Sequence, residues 1–324
     1  MYCPYDNTDH PEKTDFNTEH VIPYALGGSN QFTISTCQFS NSTLGSEIDA
    51  PFLRAFPVVY ERFVRNIESA SGNAPTLLFS GKAEINGKTV NIEYEVTADK
   101  KKLFTQPIVE KTENDGIVRY DIQAAPEDVE RMIRNIDSKA ARQGYQILDR
   151  TGKPVSGAEL LALAGVHRLV PDIKVEWNYS GWAVAAQREF VKISLGAAHF
   201  VLGEPFSRSD SAKLLRDFLT APEESLDKIP IRGSIWPMPV ENPLRLLPGM
   251  SGGLGNHLVA ILHMNAELVV FISLFGEIDG KIRLSTSPAI CSRITPNDGV
   301  VIQVDPVTRA FQRQTFVDLL KRVE

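Results

Sequence analysis

Residues 1–50 are rich in Asn, Thr, Ser, Asp and Gly, and their apolar residues come only in short pieces. A polar segment of about fifty residues buries too little surface to be stable by itself. It must be held by a bound metal or by packing on the chain that follows. Disulfides are no alternative: the three cysteines (Cys3, Cys37 and Cys291) cannot make a framework, and an odd count fits a reducing compartment. From Asp49 the pattern changes. Phe52, Leu53, Phe56, Val59, Tyr60, Phe63 and Ile67 recur at helical spacing, Gly72 closes the run, and Pro57 predicts a kink or restart. The N-terminal segment is therefore expected to lie embedded against this helix.

The remainder carries both strand and helix signals. Asn86-Gly87 between two strand-forming runs is a hairpin signature over 82–96, and another strand is expected at 117–122. Pro126 at the first turn, early acids and Gly144 at the end mark a helix over 126–143. A short helix is expected near 157–164, a strand near 173–177, and helices over 181–202 and 207–219, the latter capped by Ser209 or Asp210. Pro and Gly crowd 221–255, where Pro248-Gly249-Met250-Ser251-Gly252-Gly253 reads as a loop. Strands at 257–264, 268–275 and 281–285 suggest a meander, and a helix over 308–323 is expected to close the chain. The fold class is α+β, with expected divisions at 1–72, 73–150 and 151–324. No internal repeat is present.

Composition narrows the function classes. No apolar run approaches the roughly 20 residues of a membrane span, and no basic stretch leads into an apolar one at the N-terminus, so neither a membrane partner nor a secretory signal is expected. The expected location is cytoplasmic. A net charge of −6 argues against tight, extended, non-specific binding of nucleic acid by the whole molecule. A local basic patch is compatible with it.

The chemistry is concentrated in Glu19-His20-Val21-Ile22-Pro23, followed by Leu26-Gly27-Gly28, Asn30, Cys37 and Asn41. An imidazole can take a proton from water near neutrality, which makes His20 a general-base candidate. Glu19 and the amide carbonyl of Asn41 offer hard oxygen ligands of the kind Mg²⁺ or Mn²⁺ takes. Asn30 can hold the loop so that His20 points at the water. A divalent ion would also stabilise charge on a scissile phosphate.

This ordered set, with Cys37-x-x-x-Asn41-x-x-x-Gly45, resembles the HNH endonuclease family and its ββα-metal finger, in the subtype with a Glu-His-Ile-Ile-Pro-x-x-Leu-Gly-Gly signature. The resemblance covers about residues 1 to 50. It implies that His20 is the general base, that Asn30 orients it, and that Glu19 and Asn41 hold Mg²⁺ or Mn²⁺. It also places a helix over 41–49 and implies a nucleic-acid partner, DNA before RNA, as for bacterial or phage nucleases of defence or DNA processing. A third ligand, where relatives have one, falls at Gly45 here. Cutting both strands with one finger per chain would call for a homodimer.

Relatives of this subtype hold a structural zinc with two Cys-x-x-Cys pairs, a tetrahedral arrangement. This chain has Cys3-x-x-Asp6 and Cys37-x-x-Ser40. Half of the thiolates are gone, so a tight structural Zn²⁺ is not expected. Asp6 or His10 can replace one ligand, but Ser40 is a poor one.

Elsewhere, Arg54, Arg62 and Arg65 are candidates for phosphate contacts, against a solvated face paired with Glu61 and Glu68. Arg188, Lys192 and His199 share a helix face and could line an anion pocket, or the first two could pair with Glu176 or Glu189. His257 and His263 lie on one face of a strand but lack a third ligand, so core or edge roles fit better. Cys291 reads as a packed apolar residue, and Gly249–255 lacks the setting of a nucleotide-binding loop. The leading expectation is a metal-dependent endonuclease. The alternative is an inactive nucleic-acid-binding or ligand-sensing protein with a relic finger. Convergence of Glu19, Asn41 and His20 on one open point would separate the two.

Overall fold

The computed structural model describes residues 1–73, 75–85, 88–97, 101–105, 108–114, 117–123, 126–149, 151–163, 180–236, 255–296 and 298–321. It contains two compact units, Met1–Pro75 with Asn178–Glu324, and Thr76–Trp177. The expected strand near 173–177 and the loop over 248–253 lie outside the described residues.

The Thr76–Trp177 unit has an antiparallel sheet of β5 (Leu77–Ile85), β6 (Lys88–Val96) and β7 (Lys101–Thr105), and a ribbon of β8 (Ile108–Asn114) and β9 (Ile117–Gln123). Ile85 pairs with Lys88, so β5 and β6 bracket Asn86-Gly87, which lie outside the described residues. Helices α4 (Pro126–Gln143) and α5 (Gly157–Leu163) follow. The left-handed Gly144, at φ 70°, ends α4 as the sequence predicts.

The other unit is built around α6 (Ser180–Leu202). Its residues 189–198 are all buried, as expected of a helix apolar on nearly every side. One side lies on a six-stranded antiparallel sheet. A Cβ on Gly280 would come within 2.5 Å of the Phe190 ring, so helix and sheet meet closely there. The strand order is β10 (Gly233–Trp236), β13 (Ile278–Ser285), β12 (Glu267–Leu274), β11 (His257–Met264), β14 (Gly299–Val304) and β15 (Phe311–Thr315). Alternate residues of β11 face opposite ways. Val259 and Ile261 join the α6 core, while Leu258, Ala260 and Leu262 form a second cluster under a short helix, Phe316–Leu320.

The other side of α6 carries the N-terminal segment. It comprises the ribbons β1 (Tyr2–Cys3)–β2 (Thr8–Asp9) and β3 (Phe16–His20)–β4 (Thr33–Cys37), then α1 (Gln38–Leu44). A π turn over Gly45–Asp49 links α1 to α2 (Ala50–Arg54), and the chain restarts as α3 (Phe56–Val64) with Pro57 in its first turn. The expected helix over 41–49 thus begins earlier, at Gln38. Val21, Ile22, Leu26, Phe32 and Phe52 share one core with Phe190, Ile193 and Leu195 of α6. The ββα finger is packed on a larger α+β body.

The expected helix over 308–323 is corrected. Asp305 Oδ1 accepts from the N–H groups of Val307 and Thr308, and Arg309 takes a left-handed φ of 59°, which reverses the chain. Residues 311–315 then pair along the edge of β14, and among the described residues of this stretch only Phe316–Leu320 is helical. An edge that needs a partner overrides local helical spacing. The expected helix over 207–219 begins at Asp210 as α7 (Asp210–Thr220), with Ser209 Oγ accepting from Ala212 N–H as the cap.

Candidate active site

Glu19 and His20 are neighbours on β3 and so point to opposite faces. His20 Nε2 donates to Asn30 Oδ1 at 2.9 Å. Nδ1 therefore keeps the lone pair that can accept a proton. The Tyr24 ring meets the imidazole edge-on, with centroids 5.3 Å apart. Arg309 lies 3.5 Å from the Tyr24 ring centroid, and its Nη1 donates to the carbonyls of Tyr24 (2.8 Å) and Gly28 (3.1 Å). A body residue thus holds the loop that supplies both groups fixing His20.

The Leu26-Gly27-Gly28 motif explains itself here. Gly27 has φ 93°, and a Cβ there would sit 2.2 Å from Pro306 O. A Cβ on Gly28 would fall 1.8 Å from Ile22 O. The Leu26 carbonyl accepts from buried His257 Nε2 at 2.7 Å. The motif is a docking surface as well as a turn.

Asn41, on α1, donates through Nδ2 to Asn17 Oδ1 at 2.8 Å. Glu19 is differently employed. It is buried, and its Oε1 lies 2.5 Å from Lys192 Nζ, which also donates to Asp49 Oδ1 at 2.6 Å. Burial raises the Glu19 carboxyl and Lys192 opposes that. Burial disfavours the Lys192 charge, yet Asp49, Glu19 and Glu189 hold the ammonium well above the ordinary lysine range. Glu189, one turn away on α6, is fully buried and no donor reaches either of its oxygens. Burial, and then the nearby Asp49 carboxylate, push its carboxyl well above the usual carboxylate range. A catalytic divalent ion does not fit Glu19 and Asn41 as they stand. The acid is committed to an ammonium on the face of β3 opposite His20, and the three groups do not converge.

A second metal cluster does fit its donors. Cys3 Sγ, Asp6, His10 and Cys37 Sγ present ligand atoms all within 4.8 Å of one another. Zn–ligand bonds of about 2.0–2.3 Å put tetrahedral donors about 3.3–3.8 Å apart, so small side-chain adjustments suffice. His10 Nε2 lies 2.7 Å from Asp6 Oδ2, Cys37 Sγ lies 3.2 Å from the same oxygen, and the His10 ring is edge-on to Phe16. Burial opposes the Asp6 charge, but donors from Cys37, His10 and the Thr8 N–H bring its carboxyl below the usual range. His10 supplies what the second Cys-x-x-Cys has lost; its place in the cluster follows from the β1–β2 ribbon. Ser40 stays beside it, bonded to Cys37 Sγ.

Arg65 pairs with Glu61, donates to Phe275 O and lies 5.3 Å from the Phe275 ring centroid, so it ties α3 to the body. Arg62 has its Nε buried, and Arg54 is exposed with its Nε on Ala50 O. Arg188, Lys192 and His199 do not form an anion pocket. Arg188 caps the Ala221 carbonyl, Lys192 faces carboxylates, and His199 Nδ1 bonds Ser207 Oγ. Glu176, one partner considered for the first two, lies outside the described residues. His257 and His263 bond backbone groups, and Cys291 is buried with its thiol toward the carbonyls of Ala266 and Ser285. Tyr5, Asp49 and Arg309 escaped sequence reasoning as site residues, and Glu189 entered it only as a partner for Arg188 or Lys192. The one usable signal was an acid and a lysine three residues apart on a helix that had to be buried.

Residues 2–57 match the HNH endonuclease family. The match spans both ribbons, α1, α2 and the start of α3, and supports a nuclease-type function for this segment. No curated protein and no solved structure matches the chain. Among the described residues no helix is long and apolar enough to cross a membrane.

Proposed function

We propose that the HNH segment hydrolyses phosphodiester bonds of nucleic acid, with His20 as general base. The observation that carries this reading is the His20–Asn30 hydrogen bond within the ββα unit. With Nε2–H committed to Asn30, Nδ1 takes a proton from water. The hydroxide attacks phosphorus, the P–O bond to the leaving sugar breaks, and the departing oxygen takes a proton from solvent water. Asn30 and Tyr24 hold the ring in that tautomer and orientation, which limits wasted reorganisation. DNA is the first substrate to test.

The same reading assigns Zn²⁺ to Cys3, Asp6, His10 and Cys37, in support of the four-donor geometry. Bound there, the ion would cross-link the β1–β2 ribbon to the start of α1 and so stabilise a segment with little core of its own. It would supply no catalysis.

Cleavage of supercoiled plasmid and of single strands, with Mg²⁺ or Mn²⁺ added, tests the proposal. Cutting by the wild type that His20→Ala abolishes supports it; equal cutting by both rejects His20 as the base. The engagement of Glu19 by Lys192 favours a second reading, a segment that binds nucleic acid without cutting it. Retained binding by a protein that cuts nothing under any of these conditions would establish that one.

A further inference from the structure

Helix α6, α7, the sheet and the chain between α7 and β10 enclose a cleft of about 550 Å³, a volume typical of small-molecule sites. Its floor is core. Val191 of α6, Phe218 of α7, Leu226 and Ile282 of β13 are all buried, yet each lines the cleft. Val184, Gln187 and Val191 follow one another at spacings of three and four, so a single stripe of α6 forms one wall. The rim is of another kind. A 3-10 turn over Glu223–Lys228 brings three exposed acids, Glu223, Glu224 and Asp227, to the cleft. Among the described residues no basic side chain lines the cleft or pairs with any of the three. Like charges this close in sequence repel. The turn itself accounts for only two of them: Glu223 and Glu224 suit the partial positive charge at its start, but Asp227 lies in its last turn, where an acid is unfavourable.

We propose that this cleft binds a small organic cation, an ammonium carried on an alkyl or aryl body, with the body on the apolar floor and the ammonium at Glu223, Glu224 and Asp227. The two halves of the site select for the two halves of such a ligand. Burial of the apolar body on Val191, Phe218, Leu226 and Ile282 drives binding, and a bare cation lacks that contribution. The acids draw in a positive head, fix its orientation and repel carboxylates and phosphates. Gln187, exposed on the α6 wall, adds an uncharged acceptor for the ammonium hydrogens. The site stands apart from the nuclease reading: it uses no residue of the finger, and its acidic rim turns nucleic acid away.

The test is calorimetry, with thermal unfolding alongside, of the full chain against phenylbutylamine, phenylbutyrate, butylamine and tetralysine. Phenylbutylamine is expected to bind and to raise the melting temperature. Phenylbutyrate keeps the body but reverses the charge, and butylamine keeps the charge but loses the ring; each should bind at least about tenfold more weakly. The triple variant Glu223→Gln/Glu224→Gln/Asp227→Asn changes only exposed side chains and so should fold normally. It should bind phenylbutylamine about tenfold more weakly, and added salt should then matter little. Val184→Trp, which fills the cleft from the α6 wall, should abolish binding, and the triple variant decides alone if that protein does not fold. Equal affinity for the amine and the carboxylate, unchanged amine binding in the triple variant, or no amine binding at millimolar concentration overturns the proposal. Tetralysine bound more tightly than phenylbutylamine would make the acidic turn a contact for a basic segment and refute the small-molecule site.

Discussion

Lowering the pH should loosen the finger from its body through one residue, His257. Its Nε2–H donates to the Leu26 carbonyl at 2.7 Å, and its Nδ1 accepts from the Phe275 N–H at 3.1 Å. Both nitrogens are committed, and a second proton on Nδ1 would set two N–H groups against each other. Burial, with Arg65 nearby and against the Leu26 bond, lowers the pKa to about 4. The unfolded chain protonates at about 6.5, so between those values it binds more protons than the native state. Stability is therefore whole above 6.5 and is lost as pH falls toward 4. Linkage puts the full loss at about 3 kcal/mol, with about 2 kcal/mol of it between pH 7 and 5. Urea unfolding followed by tryptophan fluorescence is a suitable assay, because Trp182, one of three tryptophans, stacks on Phe52 of the finger at 5.4 Å. His257→Gln should be less stable at neutral pH by about 1–3 kcal/mol, having left buried backbone groups unpaired. It should also lose about 2 kcal/mol less than the wild type on acidification. Equal acid sensitivity in the two proteins would refute the assignment.

Three further outcomes follow from the docking geometry. Gly27→Ala drives a Cβ into Pro306 at a left-handed φ and should cost about 1–3 kcal/mol, read as a lower melting temperature. The purified protein should carry about one Zn²⁺ per chain by mass spectrometry, reduced in Cys3→Ser and His10→Ala, and chelation should lower its melting temperature. A zinc-free preparation indifferent to chelator contradicts that. Arg309→Ala removes the clamp on Tyr24 and Gly28 and should lower kcat by about tenfold with KM little changed, measured by initial cleavage rates.

Local signals made much of this legible. The restart at Pro57, the Ser209 cap, the Gly144 stop and the meander all rest on short-range chemistry that the structure keeps. The Glu19–Gly28 motif likewise marked the finger, and Asn30 stands within hydrogen-bond reach of His20. Long-range pairings were not legible. Nothing near Glu19 announces that Lys192, far along the chain, will neutralise it, or that Arg309 will grip the loop after His20. The lost thiolates argued against a metal cluster because spacing alone cannot show that a two-residue ribbon turns His10 toward Cys37. The terminal helix failed for the same reason: residues 311–315 are strand because β14 has a free edge for them.

The most direct test of His20 as an Asn30-oriented base is a mutant cycle in one cleavage assay: wild type, His20→Ala, Asn30→Ala and both together. Groups that act as a unit are not additive. The account predicts that His20→Ala abolishes most of the rate, that Asn30→Ala lowers it by about tenfold or more, and that the double variant is no worse than His20→Ala alone. Rate losses that simply multiply, or a His20→Ala protein that cuts as well as the wild type, would contradict it.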